Sequence, residues 1–152
     1  LHGAGIASEY HSNAIGQRAD GAGFKRAMWE ALESCYIRRR DINVIKSHGT
    51  GTQSNNLAER AAIESVFEDH NPVVTSYKQR IGHTMGASGL LETCLMIEDL
   101  KRGLIKGIPN RTTVDEFFLS QDNTCARREQ KILSLAAGMG NIYAAAIFDT
   151  AV

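Results

Sequence analysis

Two short β-branched runs constrain this chain more than any other feature: residues 41–47 (DINVIKS) and 72–76 (PVVTS). Each reads as a strand, and each is flanked by helical periodicity. Across residues 21–37, apolar side chains recur at Phe24, Ala27, Met28, Ala31 and Cys35, the spacing of a helix with one buried face. Between the two runs a second helix is expected. Asn55 or Asn56 would cap it, Glu59 would sit near its first turn, and it would run to about Glu68, burying Leu57, Ala61 and Val66. After the second run, residues 85–101 read as a helix whose middle (Leu90, Leu91, Cys94, Leu95, Met96, Ile97) is apolar on most sides, so burial is expected. Glu92 falls inside that stretch and needs a partner, because burying a lone carboxylate is costly. Residues 103–123 read as irregular, punctuated by Gly107, Pro109 and Asn110. Residues 131–137 and 142–149 read as an antiparallel pair of strands around a tight turn at Gly138, Met139, Gly140 and Asn141. The order is strand, helix, strand, helix, strand, helix and then two strands, which implies an α/β fold with helices packed on a sheet. There is neither a repeat nor a linker, so residues 1–152 are expected to form one domain.

Composition narrows the classes. The 43% of hydrophobic residues suffices for a core. Lys plus Arg and Asp plus Glu number 17 each, so no net charge draws the chain to nucleic acid or to an anionic membrane. The one basic cluster, Arg38, Arg39 and Arg40, reads as a solvated helix end that complements the helix dipole. Three unclustered cysteines suggest a reducing, cytoplasmic setting rather than a disulfide framework. No apolar stretch approaches the roughly 20 residues that span a bilayer, and no signal peptide is visible. Residue 1 is Leu and the chain enters apolar and glycine residues at once, so sequence is expected upstream.

Ligand sites in open α/β sheets gather at the carboxyl ends of strands. His48 ends the first run, and Lys78 and His83 follow the second, so two imidazoles and an ammonium are expected on one edge of the sheet. Taken singly, a loop histidine reads as solvated or structural, a lysine as surface charge, and Glu92 as a helix-face carboxylate paired with a lysine.

Taken together they form a pattern. Ser47, His48, Gly49, Thr50, Gly51 and Thr52, followed by Asn55, Asn56 and Glu59, resemble the His-Gly-Thr-Gly-Thr motif of the elongating β-ketoacyl synthases and the helix after it. Ser76 to Lys78, then Gly82, His83, Gly86, Ala87, Ser88, Gly89 and Glu92, resemble that family's Ser-x-Lys and Gly-His-x-x-Gly-Ala-x-Gly-x-x-Glu block. Pro109 and Asn110 resemble its proline–asparagine turn, and Gly138, Met139 and Gly140 its glycine-rich turn before the last strand. The resemblance runs over residues 1–148 with the motifs in order.

It implies the C-terminal half of a thiolase-like fold: a mixed sheet with helices packed on it. It also implies decarboxylative condensation of a malonyl thioester with an acyl-enzyme, in fatty acid or polyketide synthesis. His48 and His83 would donate N–H groups to the thioester oxygen, where charge develops, and losing one such donor costs about 2.7–4 kcal/mol. Lys78 and Glu92 would be the supporting pair. Thr50 and Thr52 would bond the pantetheine arm, and the Met139 N–H would be a second oxyanion donor beside a side chain that gates the acyl pocket. The partners implied are an acyl carrier protein, the N-terminal half of the synthase, and a second copy or a related subunit in a homodimer or heterodimer. No cofactor or metal is implied.

The family's nucleophilic cysteine belongs to its N-terminal half. Cys35 and Cys94 read as core residues, and Cys125, near Arg127 and Arg128, lies outside every motif. This chain alone is therefore expected to be inactive. Asn56 stands where the family has Asp, Met139 where it has Phe, Asn141 where it has Gly, and Ile142 and Tyr143 where it has Thr and Asn. These departures keep an alternative open: a non-catalytic, synthase-like subunit that shapes a pocket. A phosphate loop at residues 49–52 lacks the Gly-Lys-Ser/Thr ending, and the histidines have no companions at metal-ligand spacing.

Overall fold

A computed structural model describes residues 1–108 and 129–150, and the backbone of 124–125. Five strands form the main sheet: β1 (Gly3–Ser8), β2 (Val44–Lys46), β3 (Val73–Thr75), β6 (Lys131–Gly138) and β7 (Ile142–Asp149), in the order β1-β7-β6-β2-β3. β1 and β6 flank β7 antiparallel, whereas β2 runs parallel to both β6 and β3. The sheet is therefore mixed, as the resemblance implies. β4 (Leu104–Ile105) and β5 (Thr124–Cys125) form a separate antiparallel pair, where irregular chain was expected. The proposed turn at Pro109 and Asn110 lies outside the described residues.

Helices α1 (Ala22–Ser34) and α2 (Gln53–Phe67) cover one face of the sheet, and α4 (Ser88–Lys101) covers the other. α3 (Lys78–Ile81) is a single turn after β3. Alternation along β2 divides it between the layers: Ile45 packs with Phe24, Ala58 and Ala62, while Val44 packs with Met96 and Leu100. β1 lies so close to α1 that a Cβ on Gly5 would sit 2.2 Å from the Ala27 carbonyl oxygen, so only glycine fits there. The β6–β7 pair is continuous from Lys131↔Asp149 to Gly138↔Ile142. It closes through Gly140 and Asn141, both at positive φ, which asparagine tolerates better than most residues.

Several expectations are corrected. α1 stops at Ser34, not residue 37, and Tyr36 then takes a positive φ that no helix continues through. The arginines after it do not end that helix, although Arg38 and Arg40 are solvated as expected. Arg38 pairs with Asp41, while Arg39 and Arg40 reach Glu68 and Asp69 past the end of α2. α2 is capped by Thr52, whose hydroxyl accepts from the Asn55 N–H, and not by Asn55 or Asn56. Its buried side is Asn55, Glu59, Ala62 and Val66 with Ala58 and Ile63, while Leu57 is 52% exposed and Ala61 half-buried. Glu59 sets that phase, because backbone amides of the preceding loop draw it inward.

α4 differs most from expectation. A 3₁₀ turn at Met85–Ala87 precedes it, and the face it buries carries Ser88, Glu92, Thr93, Met96, Asp99 and Leu100. Leu90 is 74% and Leu91 40% exposed, and Cys94 is exposed as well, so Cys94 is not a core residue. Polar pairing decides the orientation. Tyr77 donates to Asp99 at 2.8 Å, Thr93 and Ser134 lie 2.7 Å apart, and Glu92 meets two lysines. Cys35 is half-buried against the core, with its thiol bonded to the Ala31 carbonyl. Among the described residues, no helix is long and apolar enough to cross a membrane.

Candidate active site

The parallel strands β2 and β3 both end at one edge of the sheet, and the loops that follow bring the site together. After β2, Gly49 takes a φ of +59°, and a Cβ there would lie 2.1 Å from Ser76 Oγ, so both backbone and space demand glycine. Glu59 of α2 staples this loop. Its Oε1 accepts from the His48 N–H at 2.5 Å, and its Oε2 from the Gly49 N–H at 2.8 Å and from Asn55 Nδ2 at 2.6 Å. Burial raises the Glu59 pKa, and the three donors work in the opposite direction.

His48 is buried, and its Nδ1 accepts the Ala137 N–H at 3.1 Å. His83 follows α3, is exposed, and uses Nδ1 to accept the Met85 N–H at 3.1 Å, with Ser88 Oγ 3.0 Å away. A ring nitrogen that accepts a backbone N–H carries no proton, so in both rings the proton sits on Nε2. The ring centroids are 6.0 Å apart and nearly perpendicular, at 83°. Burial, then the positive charges of Lys78 and Lys46 and the proximity of His83, push the His48 pKa down to about 3. His48 is therefore an uncharged N–H donor at neutral pH.

Behind His48 lies a buried charge cluster. Lys78 Nζ donates to the His48 carbonyl oxygen at 2.6 Å and to Glu92 Oε1 at 2.7 Å. Lys46 Nζ, from the end of β2, sits 3.0 Å from Glu92 Oε2, and both of these residues are fully enclosed. Burial lowers the Lys46 pKa, and Glu92 opposes that shift. The partner that Glu92 required is thus a pair of lysines. Counted with Glu59, two carboxylates balance two ammonium groups around the His48 backbone.

His48, His83, Thr50, Thr52 and Met139 all line one cleft of about 420 Å³, together with Asn55. The hydroxyls of Thr50 and Thr52 are 3.2 Å apart on its wall. Lys78 and Glu92 do not line it, although Lys78 borders a smaller adjoining pocket with Thr50 and His83. Neither Cys35 nor Cys94 lines the cleft, and the side chain of Cys125 lies outside the described residues, as do Arg127 and Arg128. The altered turn finds new partners. The Tyr143 hydroxyl donates to Glu9, and its ring packs edge-on against Phe24 at 4.8 Å, itself 6.5 Å from the His48 ring.

Two participants carry no site role in the sequence pattern: Lys46 is hidden inside a strand run, and Glu59, although it belongs to the motif's helix, reads only as a carboxylate near a helix N-terminus. Period-two alternation carried a signal for the first: Lys46 shares a strand face with the apolar Val44, where a charged side chain must find an acceptor.

Comparison with known proteins identifies the family and the fold. The family model described as "Beta-ketoacyl synthase, C-terminal domain" matches residues 1–112. A chloroplastic 3-oxoacyl-[acyl-carrier-protein] synthase I of Hordeum vulgare is 33% identical over 106 residues, covering 69% of this chain and 22% of that protein. The crystal structure of a β-ketoacyl synthase from Burkholderia phymatum superposes with a TM-score of 0.85 at 27% identity, over 97% of this chain and 36% of that one. A type II polyketide ketosynthase, solved with its acyl-carrier protein and bound to a hexaketide, shares the fold, with a TM-score of 0.84 at 24% identity over 100% of this chain and 38% of that one. The chain spans a third or less of the length of the curated relatives first matched. Residues 1–112 carry the family match and hold both histidine loops, so the chain belongs to the β-ketoacyl synthases, as their thiolase-like C-terminal domain.

Proposed function

We propose that this chain supplies the decarboxylating half of an elongating β-ketoacyl synthase site, with the nucleophilic cysteine contributed by an N-terminal half. A malonyl thioester on an acyl carrier protein enters the cleft. Its carboxylate leaves as carbon dioxide, and the electrons of the broken bond pass into an enolate. His48 and His83 donate their Nε2–H groups to the thioester oxygen on which that charge gathers. The enolate carbon then bonds to the acyl carbonyl held on the cysteine, and the thiolate departs.

The observation that carries this reading is the pair of imidazoles on one cleft, each with Nδ1 already engaged by a backbone N–H, leaving two preset N–H donors. Lys78 and Glu92 fix the His48 backbone. Thr50 and Thr52, whose hydroxyls lie on the cleft wall, would bond a pantetheine arm, and the Met139 N–H would serve the acyl carbonyl oxygen, with its side chain gating the pocket. An N-terminal half is supported by the greater length of the relatives and by the exposed apolar side of α4, Leu90 and Leu91, which further protein would cover. The carrier partner is supported by the related ketosynthase solved with its acyl-carrier protein.

Malonyl-carrier decarboxylation by the complete synthase tests the proposal. His48→Ala and His83→Ala should each lower the rate about 10²–10³-fold. A variant that decarboxylates at the wild-type rate removes that imidazole from the role. The isolated chain should form no β-ketoacyl product from acyl and malonyl carriers, and sustained product would show that it needs no cysteine from elsewhere.

A further inference from the structure

Lys46 occupies a strand position that packing alone would give to an apolar residue. It closes β2 on the same face as Val44, and none of its surface is exposed. Its Nζ grips Glu92 Oε2 at 3.0 Å while Lys78 holds Oε1 at 2.7 Å, so one carboxylate is clamped by two ammonium groups, one to each oxygen. Lys78 alone neutralises Glu92 formally. A methionine would fill the space of Lys46 without the loss of ion hydration. The second cation therefore adds something beyond packing and beyond charge balance with Glu92. What it adds is a second positive charge at the end of β2, two residues before His48 in the loop that follows.

We infer that Lys46 is a positioning residue for His48: it locks the carboxylate that holds Lys78 on the His48 carbonyl, and its charge opposes a proton arriving on the imidazole. The role of His48 in this statement rests on the function proposed above; the placement of Lys46 does not. The groups facing His48 or its backbone are Lys46 from β2, Glu59 from α2, Lys78 from α3, His83 from the loop after α3, and Glu92 from α4 through the lysines. Glu59 is committed to three donors around the loop. Burial acts most strongly against an imidazolium at His48, and Lys78 and Lys46 follow.

Removing the Lys46 charge makes His48 easier to protonate. In the complete synthase with isotope-labelled histidine, Lys46→Met should move the NMR-detected protonation of His48 to higher pH by about one unit. The acid limb of malonyl decarboxylation should move the same way, and Lys46→Arg should restore the wild-type profile. A His48 titration that stays in place in Lys46→Met overturns the inference. Lys46→Gln replaces the first variant if that one does not fold, and failure of both to fold assigns Lys46 to core structure and also overturns it. If the wild-type synthase does not decarboxylate malonyl thioesters, the functional proposal falls, and the NMR titration still decides the role of Lys46.

Discussion

Replacing Glu92 by Gln removes the carboxylate that both Lys46 and Lys78 contact, at 3.0 and 2.7 Å, and leaves the shape almost unchanged. Neither ammonium can turn to solvent, since Lys46 is fully enclosed and Lys78 nearly so. Breaking a buried ion pair by deleting one partner costs about 3–5 kcal/mol, mostly because the other charge stays buried without compensation. Gln retains one acceptor oxygen, which points to the lower end, about 3 kcal/mol. With a urea slope of about 2 kcal/mol per molar, the unfolding midpoint should fall by about 1.5 M. Lys46→Met combined with Glu92→Gln removes one of the stranded cations. The double variant should therefore be more stable than the sum of the single effects, by more than about 1 kcal/mol. Urea unfolding of wild type, both single variants and the double variant gives this cycle directly. A Glu92→Gln midpoint within error of wild type, or strict additivity, would refute the argument that the three groups act as a unit.

Three further outcomes follow from the same geometry. Burial and the lysines depress the His48 pKa from 6.5 to about 3, so the folded state binds fewer protons than the unfolded state between those values. The stability contributed by His48 is complete above about pH 6.5 and is lost as pH falls toward 3, and His48→Asn should flatten the pH dependence of the unfolding midpoint across that window. Thr52→Val removes the α2 cap and should cost about 1 kcal/mol in urea unfolding, and on the function proposed above it also raises KM for carrier-bound substrate. Tyr143→Phe deletes the hydroxyl that donates to the Glu9 carboxylate and should destabilise by about 1–3 kcal/mol, again read from the urea midpoint.

The convergence of His48, Lys78, His83 and Glu92 was legible in the sequence because parallel strands put their following loops at one sheet edge, and the run of motifs named what those loops carry. The buried face of α4 was not legible. Hydropathy alone puts Leu90, Leu91 and Cys94 inside, but the sheet presents Lys46 and Ser134 and the loop after β3 presents Tyr77, whose polar atoms draw Glu92, Thr93 and Asp99 inward instead. The same competition rotated α2, where two loop amides capture Glu59 and turn Leu57 outward. In each case a long-range polar contact overrode local apolar periodicity, and nothing within one helical window records such a contact. Thr52 does not stand out as a cap because the neighbouring asparagines are equally good caps; in the structure Glu59 takes up the Asn55 side chain, and the Asn55 N–H donates to Thr52.

On the function proposed above both imidazoles present Nε2–H to one thioester oxygen, and a crystal structure of the complete synthase with a non-hydrolysable malonyl thioester analogue locates that oxygen. The oxygen should lie within about 2.7–3.1 Å of both His48 Nε2 and His83 Nε2. An oxygen held by other donors, or an imidazole turned out of the cleft when the analogue is bound, would contradict it.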